Sequence, residues 1–263
     1  MEAINLEYED TIMYLDEDDD DDSQLAEVYD IKTGKKKDMV HKKYKATMNQ
    51  YVYPIKTYEE VQAVKEYYLN KTKEEHSKMG WNTKYRDFAI FSIGCSTGLR
   101  ISDLLNLKYK YLIDRKGEYR EGFIICEKKR RKERKVIWTE NIIKYFSIYF
   151  EHSGINLKRV NPDDYIFTSR QKNKDGSYRL SETNFSHRLK EDLERCIELG
   201  LIEDLNYNTH TMRKTFAWYL YVKSGYDIGL VCETLRHTSV DVTMRYLGIN
   251  KERVDNALRM IDL

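Results

Sequence analysis

Apolar residues recur at helical spacing through most of the chain beyond residue 50. In "TYEEVQAVKEYYLNK" (57–71), Val61, Val64 and Tyr68 fall on one stripe, and Thr57 has the position of a capping residue. Similar stripes predict further helices over 84–98, 139–150, 181–200, 211–223 and 227–236, and two short ones at "ISDLLNL" and up to residue 247. The pattern is therefore mainly helical.

Two short segments interrupt the helical pattern. "EGFIICEKK" and "ERKVIWT" are rich in β-branched and aromatic residues, which predicts the two strands of a hairpin. We therefore predict a mainly α fold with a small antiparallel β-sheet (α+β), formed as one domain over 51–263.

The net charge of +1 conceals two oppositely charged parts. Residues 1–30 hold thirteen Asp or Glu and no Lys or Arg, whereas 31–263 hold 45 basic and 31 acidic residues, a net of +14. Seven consecutive acidic residues at 16–22 repel one another, so we predict that 1–50 is an acidic, disordered tail followed by a basic linker. A basic body favours a polyanion, nucleic acid first, although a lysine-rich solvated surface has the same composition.

Composition argues against several classes of protein. No apolar run approaches the about 20 residues that span a bilayer, and the acidic N-terminus lacks the apolar stretch of a signal peptide. We therefore expect a cytoplasmic protein without a membrane partner. The cysteines are far apart and form no CxxC pair, which predicts buried, reduced thiols and no metal site: Cys95, Cys126, Cys196 and Cys232.

Three segments carry side chains suited to binding phosphate. In "STGLRISDLLNL", Arg100 lies between apolar neighbours, and a partly buried arginine needs an anion, either Asp103 or an external phosphate. In "NTHTMRKTFAWYLY", His210 and Arg213 would share a helix face, a spacing that also arises by chance. "KKRRKERK" (128–135) places basic residues at the predicted hairpin tip, as a DNA contact, a soluble turn or a localisation signal.

His237 and Tyr246 are nine residues apart in "LRHTSVDVTMRYLGI". On one helix of about 3.6 residues per turn, their side chains would point in opposite directions. Thr238 and Ser239 are residue types that cap helix N-termini, so we predict a break there, with Tyr246 on a second helix. Two helices that meet at such a turn can direct both side chains to one point.

Together these segments resemble the tyrosine recombinases, the phage integrase family, over about 51 to 263. Five motifs occur in family order: "STGLRISDLLNL", "EKKRRKER" followed by a strand, "YIFTSR" before a long helix, "HTMRKTFAWYL", and "LRHTSVDVTMRYL" with the family's nine-residue spacing. Two positions depart from the family pattern. Arg236 stands where Gly is usual, and Lys214 where His is frequent.

The resemblance implies a role for each motif residue. Arg100 and Arg213 would clamp the scissile phosphate, where charge builds during the reaction. Tyr246 would be the nucleophile and His210 the group that takes its proton. His237 would donate a further hydrogen bond to the phosphate.

The basic hairpin would supply the remaining catalytic group. By alignment, Lys129 would protonate the departing 5′-oxygen, with Lys128 as the alternative. Its neighbours would contact the DNA backbone, a set that comprises Lys128, Arg130, Arg131 and Lys132.

This resemblance implies site-specific DNA recombination through a covalent 3′-phosphotyrosine. The bond energy is kept in that intermediate, so neither a cofactor nor a metal would be needed, in keeping with the absence of a P-loop motif. The implied partners are double-stranded DNA and, during recombination, three further copies in a homotetramer. An apolar face near the C-terminus could contact a neighbouring subunit or pack on its own domain: Ile249, Val254, Leu258 and Ile261.

The segment 1–50 is shorter than the separate helical DNA-binding domain that typical members carry before the catalytic region. We therefore expect a minimal enzyme, a fragment, or a protein that uses an accessory DNA-binding protein. A non-catalytic DNA-binding regulator of the same fold and a type IB topoisomerase-like enzyme are the alternatives.

Overall fold

The structure, a computed structural model, describes residues 12–15, 51–71, 83–127 and 133–249. Its helices are α1 (Tyr58–Asn70), α2 (Thr83–Thr97), α3 (Ile101–Leu105), α4 (Glu140–Ser153), α5 (Glu182–Glu198), α6 (Thr209–Lys223), α7 (Ile228–Leu235) and α8 (Val240–Leu247), with a 3₁₀ helix at Tyr109–Tyr111. Its strands are β1 (Ile12–Leu15), β2 (Gly122–Glu127) and β3 (Glu133–Ile137). Helices predominate, and the predicted α+β class is confirmed.

Side-chain caps set where the helices begin. At α1, Thr57 accepts a hydrogen bond from the backbone N–H of Glu60, and the Glu60 carboxylate accepts one from the backbone of Thr57, which is the predicted capping box. Helix α6 begins two residues before the predicted position, because the Asn208 side chain accepts a bond from the backbone N–H of His210. His210 therefore lies inside the helix that carries Arg213.

The sheet has the order β1-β2-β3. Strands β2 and β3 are antiparallel, with Ile125 opposite Arg134, so the predicted hairpin is confirmed. Strand β1 pairs in parallel with β2, with Ile12 opposite Ile124, and covers an edge that would otherwise carry unpaired backbone groups. This strand falls within the segment predicted to be disordered. The rest of 1–50 lies outside the described residues, so the division of the chain stays a prediction.

Helix α6 contributes buried residues to two apolar clusters. The larger is centred on α2, which packs against α1, α4 and α6, and whose Phe88, Phe91 and Ile93 are at most 2% exposed. The smaller joins α6 to the last two helices through Ala217, Val231, Leu235 and Leu247. Removing these side chains from water fixes α7 and α8 against α6.

The turn between α2 and α3 requires its glycine. Gly98 has a φ of +62°, in the left-handed region, and a Cβ added there would lie 2.2 Å from Cδ1 of Phe216. The helix predicted over 84–98 therefore ends at this turn, which approaches α6 closely. Arg100 follows two residues later as the N-cap of α3.

Candidate active site

Arg213 connects the segments that form the candidate site. It is 7% exposed, and its Nη1 donates to the carbonyl oxygen of Gly98, in the turn before Arg100. Its Nη2 donates to the carbonyl oxygen of Leu235, at the end of α7, 2.9 Å away. Both acceptors are backbone carbonyls, so these two bonds fix the guanidinium between the Gly98 turn and the end of α7.

Arg100 and His210 flank Arg213 on two different elements. Arg100 is half-buried and, after burial and Arg213, contributes to the lowered pKa of His237. His210 is half-buried in the first turn of α6, one helical turn before Arg213. The structure therefore gathers the predicted arginines and His237 around one point, with His210 on the helix that carries Arg213.

His237 follows α7 directly, and its ring is oriented by a buried hydroxyl. Its Nδ1 lies 2.9 Å from Oγ1 of Thr243, a fully buried residue of α8. Burial, followed by the nearby cations Arg213, Arg100 and Lys214, lowers the pKa of His237 to about 4. The imidazole is therefore neutral at neutral pH.

Tyr246 lies on α8 with its ring against that of His237. The two ring centroids are 4.9 Å apart and the rings meet edge to face at 70°. The predicted helix break between them is confirmed, because Ser239 caps α8 by accepting a hydrogen bond from the backbone N–H of Val242. The carbonyl oxygen of Tyr246 accepts a hydrogen bond from Oη of Tyr51, 3.1 Å away.

Two further arginines reach this site and were not predicted to do so. Arg134, on β3, donates through Nη2 to the carbonyl oxygen of Thr97. Burial lowers the pKa of Arg134 to about 9, with Arg213 and Arg236 as the next contributions. Arg236 donates from Nη2 to the carbonyl oxygen of Ile125, 2.8 Å away, in the neighbouring strand β2. In the sequence, Arg236 stood out only because the family usually has glycine at this position.

Lys214 is a third further cation at this site. In the sequence it stood out only because it replaces the histidine that is frequent in the family. It is 8% exposed, and its Nζ lies 3.8 Å from the ring centroid of Tyr51 and 4.8 Å from that of Tyr246. These distances are within the range of cation–π attraction. Lys214 thus contacts the ring of the candidate nucleophile and also raises the positive potential at His237.

The residue pattern agrees with the comparison to known families. The profile of the Phage integrase family matches residues 68–253. The chain belongs to the phage integrase family. The relatives described next are named integrases and tyrosine recombinases, and none of them is named a topoisomerase or a regulator.

This phage integrase family member is similar to proteins of different length. Probable integrase/recombinase YoeC of Bacillus subtilis (strain 168) is 30% identical over 209 residues, 80% of this chain and 96% of YoeC. Tyrosine recombinase XerD of Oceanobacillus iheyensis is 30% identical over 178 residues, 67% of this chain and 54% of XerD. The XerH site-specific recombinase bound to palindromic difH substrate, in a post-cleavage complex, has a TM-score of 0.52 at 25% identity over 80% of this chain and 54% of XerH. The chain thus spans about half the length of XerD and XerH.

The lysine expected of a phage integrase family member lies outside the described residues. Strand β2 ends at Glu127 and β3 begins at Glu133, and residues 128–132 between them lie outside the described residues. The assignment of Lys129, or Lys128, therefore stays a prediction. The same holds for the other predicted DNA contacts and the C-terminal face, a set that comprises Arg130, Arg131, Lys132, Val254, Leu258 and Ile261.

Among the described residues, no group of three His, Cys, Asp or Glu side chains could hold a metal ion. No helix in this part of the chain is long and apolar enough to cross a membrane. That the reaction needs neither metal nor cofactor, and that the protein is cytoplasmic, stay predictions.

Proposed function

We propose that this chain cleaves and rejoins double-stranded DNA through Tyr246. The observation that carries the proposal is the edge-to-face contact of Tyr246 with His237, 4.9 Å between centroids, beside the buried Arg213. A phenol next to a cationic phosphate site is the arrangement that in-line attack on a phosphodiester requires.

In the cleavage step, Oη of Tyr246 attacks the scissile phosphorus and the bond to the 5′-oxygen breaks. A phenol has a pKa near 10, so a base has to accept its proton, and we assign that role to His210. The departing 5′-oxygen takes a proton from Lys129. The products are a 3′-phosphotyrosine and a free 5′-hydroxyl, and rejoining is the reverse reaction with another 5′-hydroxyl.

The charge that develops on the non-bridging oxygens is met by three groups. Arg100 and Arg213 are permanently charged and present planar forks suited to phosphate. His237 is neutral, so it can donate from Nε2 when the single proton of the Thr243 hydroxyl is donated to Nδ1, 2.9 Å away, rather than to the carbonyl oxygen of Ser239 at 3.3 Å. In this arrangement Thr243 selects the tautomer that binds phosphate.

DNA is the partner that the comparisons favour. The XerH structures are complexes of that recombinase with its difH substrate, before and after cleavage. The net charge of +14 over 31–263 supports a polyanionic partner for this chain. We extend the proposal to a homotetramer on paired DNA sites, assisted by an accessory DNA-binding protein, in the cytoplasm.

The test uses a nicked DNA substrate that loses a short fragment after cleavage and so traps the covalent intermediate. A protein–DNA band on a denaturing gel is expected with the wild-type chain and not with Tyr246→Phe. Tyr226→Phe is the matched control, because Tyr226 is 65% exposed, and it should leave the band unchanged. A band that persists in Tyr246→Phe would overturn the assignment of the nucleophile.

A second readout distinguishes the alternatives. Recombinant products from two DNA sites are expected for a recombinase. Relaxation of supercoils without recombinant products would point instead to topoisomerase activity. DNA binding without any covalent complex on its cognate site would point to a regulator.

A further inference from the structure

Arg236 occupies a backbone conformation that residues other than glycine adopt uncommonly. It ends α7 with a φ of 59° and a ψ of 35°, in the left-handed region. Among the described non-glycine residues, Tyr226 is the other with a positive φ. This conformation costs about 1 kcal/mol for a residue with a Cβ, and glycine would avoid that cost. A hydrogen bond made by the side chain can offset this cost.

The compensating interaction is a bond to the hairpin. Nη2 of Arg236 donates to the carbonyl oxygen of Ile125 in β2, 2.8 Å away. The next residue in the chain is His237, so this bond connects β2 to the turn that presents the imidazole. Ile125 lies four residues before Lys129 in the sequence.

Strand β3 is also held by a side-chain hydrogen bond, at the position opposite Ile125. Ile125 is paired in register with Arg134 on β3. Arg134 donates from Nη2 to the carbonyl oxygen of Thr97, beside the turn that carries Arg100, and its guanidinium lies 5.7 Å from the ring centroid of Phe216. One rung of the hairpin is therefore bonded on one side to the His237 turn and on the other to the Arg100 turn.

We propose that Arg236 and Arg134 are positioning residues that clamp the Ile125–Arg134 rung of the hairpin against the two turns of the phosphate site. The proposal rests on the proposed function, in which this hairpin carries the group that protonates the leaving oxygen. The clamp fixes the base of the hairpin relative to the phosphate that His237 and Arg100 bind.

The electrostatics of the clamp suit a phosphate ligand. Burial most strongly, and then Arg213 and Arg236, lower the pKa of Arg134, so its guanidinium is repelled by two neighbouring guanidinium groups. A phosphate in the site would offset this repulsion and strengthen the clamp. The base of the hairpin would then be held most firmly when DNA is bound.

The test separates positioning from general destabilisation by the choice of leaving group. A DNA substrate with sulfur in place of the 5′-bridging oxygen releases a thiolate, which needs no proton. On ordinary DNA, Arg236→Gly should form covalent complex about tenfold more slowly than wild type, the effect of losing one charged hydrogen bond. On the sulfur substrate, the variant and the wild type should react at the same rate.

Two other variants complete the design. Arg134→Gln releases the same rung from the other side and should show the same substrate dependence. Tyr226→Gly makes the same backbone change at the other left-handed position and should react like wild type on both substrates. Thermal unfolding of each variant confirms that it is folded at the assay temperature.

The outcomes distinguish the clamp from the proposed function. If Arg236→Gly has a defect of equal size on both substrates, or no defect on either, the clamp is overturned. The proposed function still stands in that case if the wild type forms the covalent complex. If Lys129→Ala is not rescued by sulfur while Arg236→Gly is, the lysine assignment is wrong and the clamp stands. If wild type forms no covalent complex on either substrate, the proposed function itself fails.

Discussion

His237 and Thr243 are linked across the turn between α7 and α8, with Nδ1 and Oγ1 2.9 Å apart. Thr243 is fully buried, so water does not replace this partner if the hydroxyl is removed. The Oγ1 atom also lies 3.3 Å from the carbonyl oxygen of Ser239, the cap of α8. The single hydroxyl proton can be donated to only one of these two acceptors, and the proposed tautomer of His237 directs it to Nδ1.

Thr243→Val should slow formation of the covalent complex about fivefold, because about 1 kcal/mol of hydrogen bonding to His237 is lost. Thr243→Ser keeps the hydroxyl and should retain most of the rate. The measurement is single-turnover cleavage of the nicked substrate. Equal rates for Val and Ser would show that the hydroxyl has no part in orienting His237.

The low pKa of His237 predicts a specific pH dependence of stability. Its folded pKa is about 4, below its ordinary value of 6.5, so between these values the unfolded chain binds the proton more readily. The contribution of this residue is complete above pH 6.5 and is lost as the pH falls towards 4. Urea unfolding of His237→Gln should therefore depend less on pH in this window than wild type. Parallel profiles for the two proteins would contradict the assignment.

The site shows which parts of the molecule the sequence could predict. Local signals were sufficient for the break before α8, because the Ser239 cap is encoded by adjacent residues. The inward positions of Arg134 and Lys214 depend on how β3 and α6 pack against other elements, and nothing in their own neighbourhoods distinguishes them from surface cations. Strand β1 depends on pairing with β2, more than a hundred residues away, in a segment whose composition favours disorder.

Gly98→Ala should destabilise the fold more than the same change at Gly154. Both glycines have positive φ, +62° and +65°, so both variants incur the same backbone strain of about 1 kcal/mol. The new Cβ would meet Phe216 at 2.2 Å in the first case and nothing within 4 Å in the second. Overpacking adds about 2 kcal/mol to the loss for Gly98→Ala. The free energies of unfolding in urea test this, and equal losses would mean that the turn moves away freely.

Gly98→Ala should also impair DNA cleavage, because the carbonyl oxygen of Gly98 accepts a hydrogen bond from Arg213. Displacing the turn moves this acceptor and the following Arg100 together. Gly98→Ala should therefore lose cleavage even at temperatures where it is folded, whereas Gly154→Ala should keep it. The covalent-complex assay at a temperature below both unfolding transitions makes the comparison.

Lys214→Met should raise the pKa of His237 above about 4, because the lysine is one of the cations that lower it. Methionine keeps much of the length and apolar character of the side chain between Tyr51 and Tyr246, so the change mainly removes charge. Lys223→Met is the matched control, since Lys223 is an exposed lysine at the far end of the same helix. NMR titration of the His237 ring measures the pKa directly. A rise in Lys214→Met with no change in Lys223→Met is expected, and an unchanged pKa in both variants would mean that Lys214 exerts no electrostatic effect on the site.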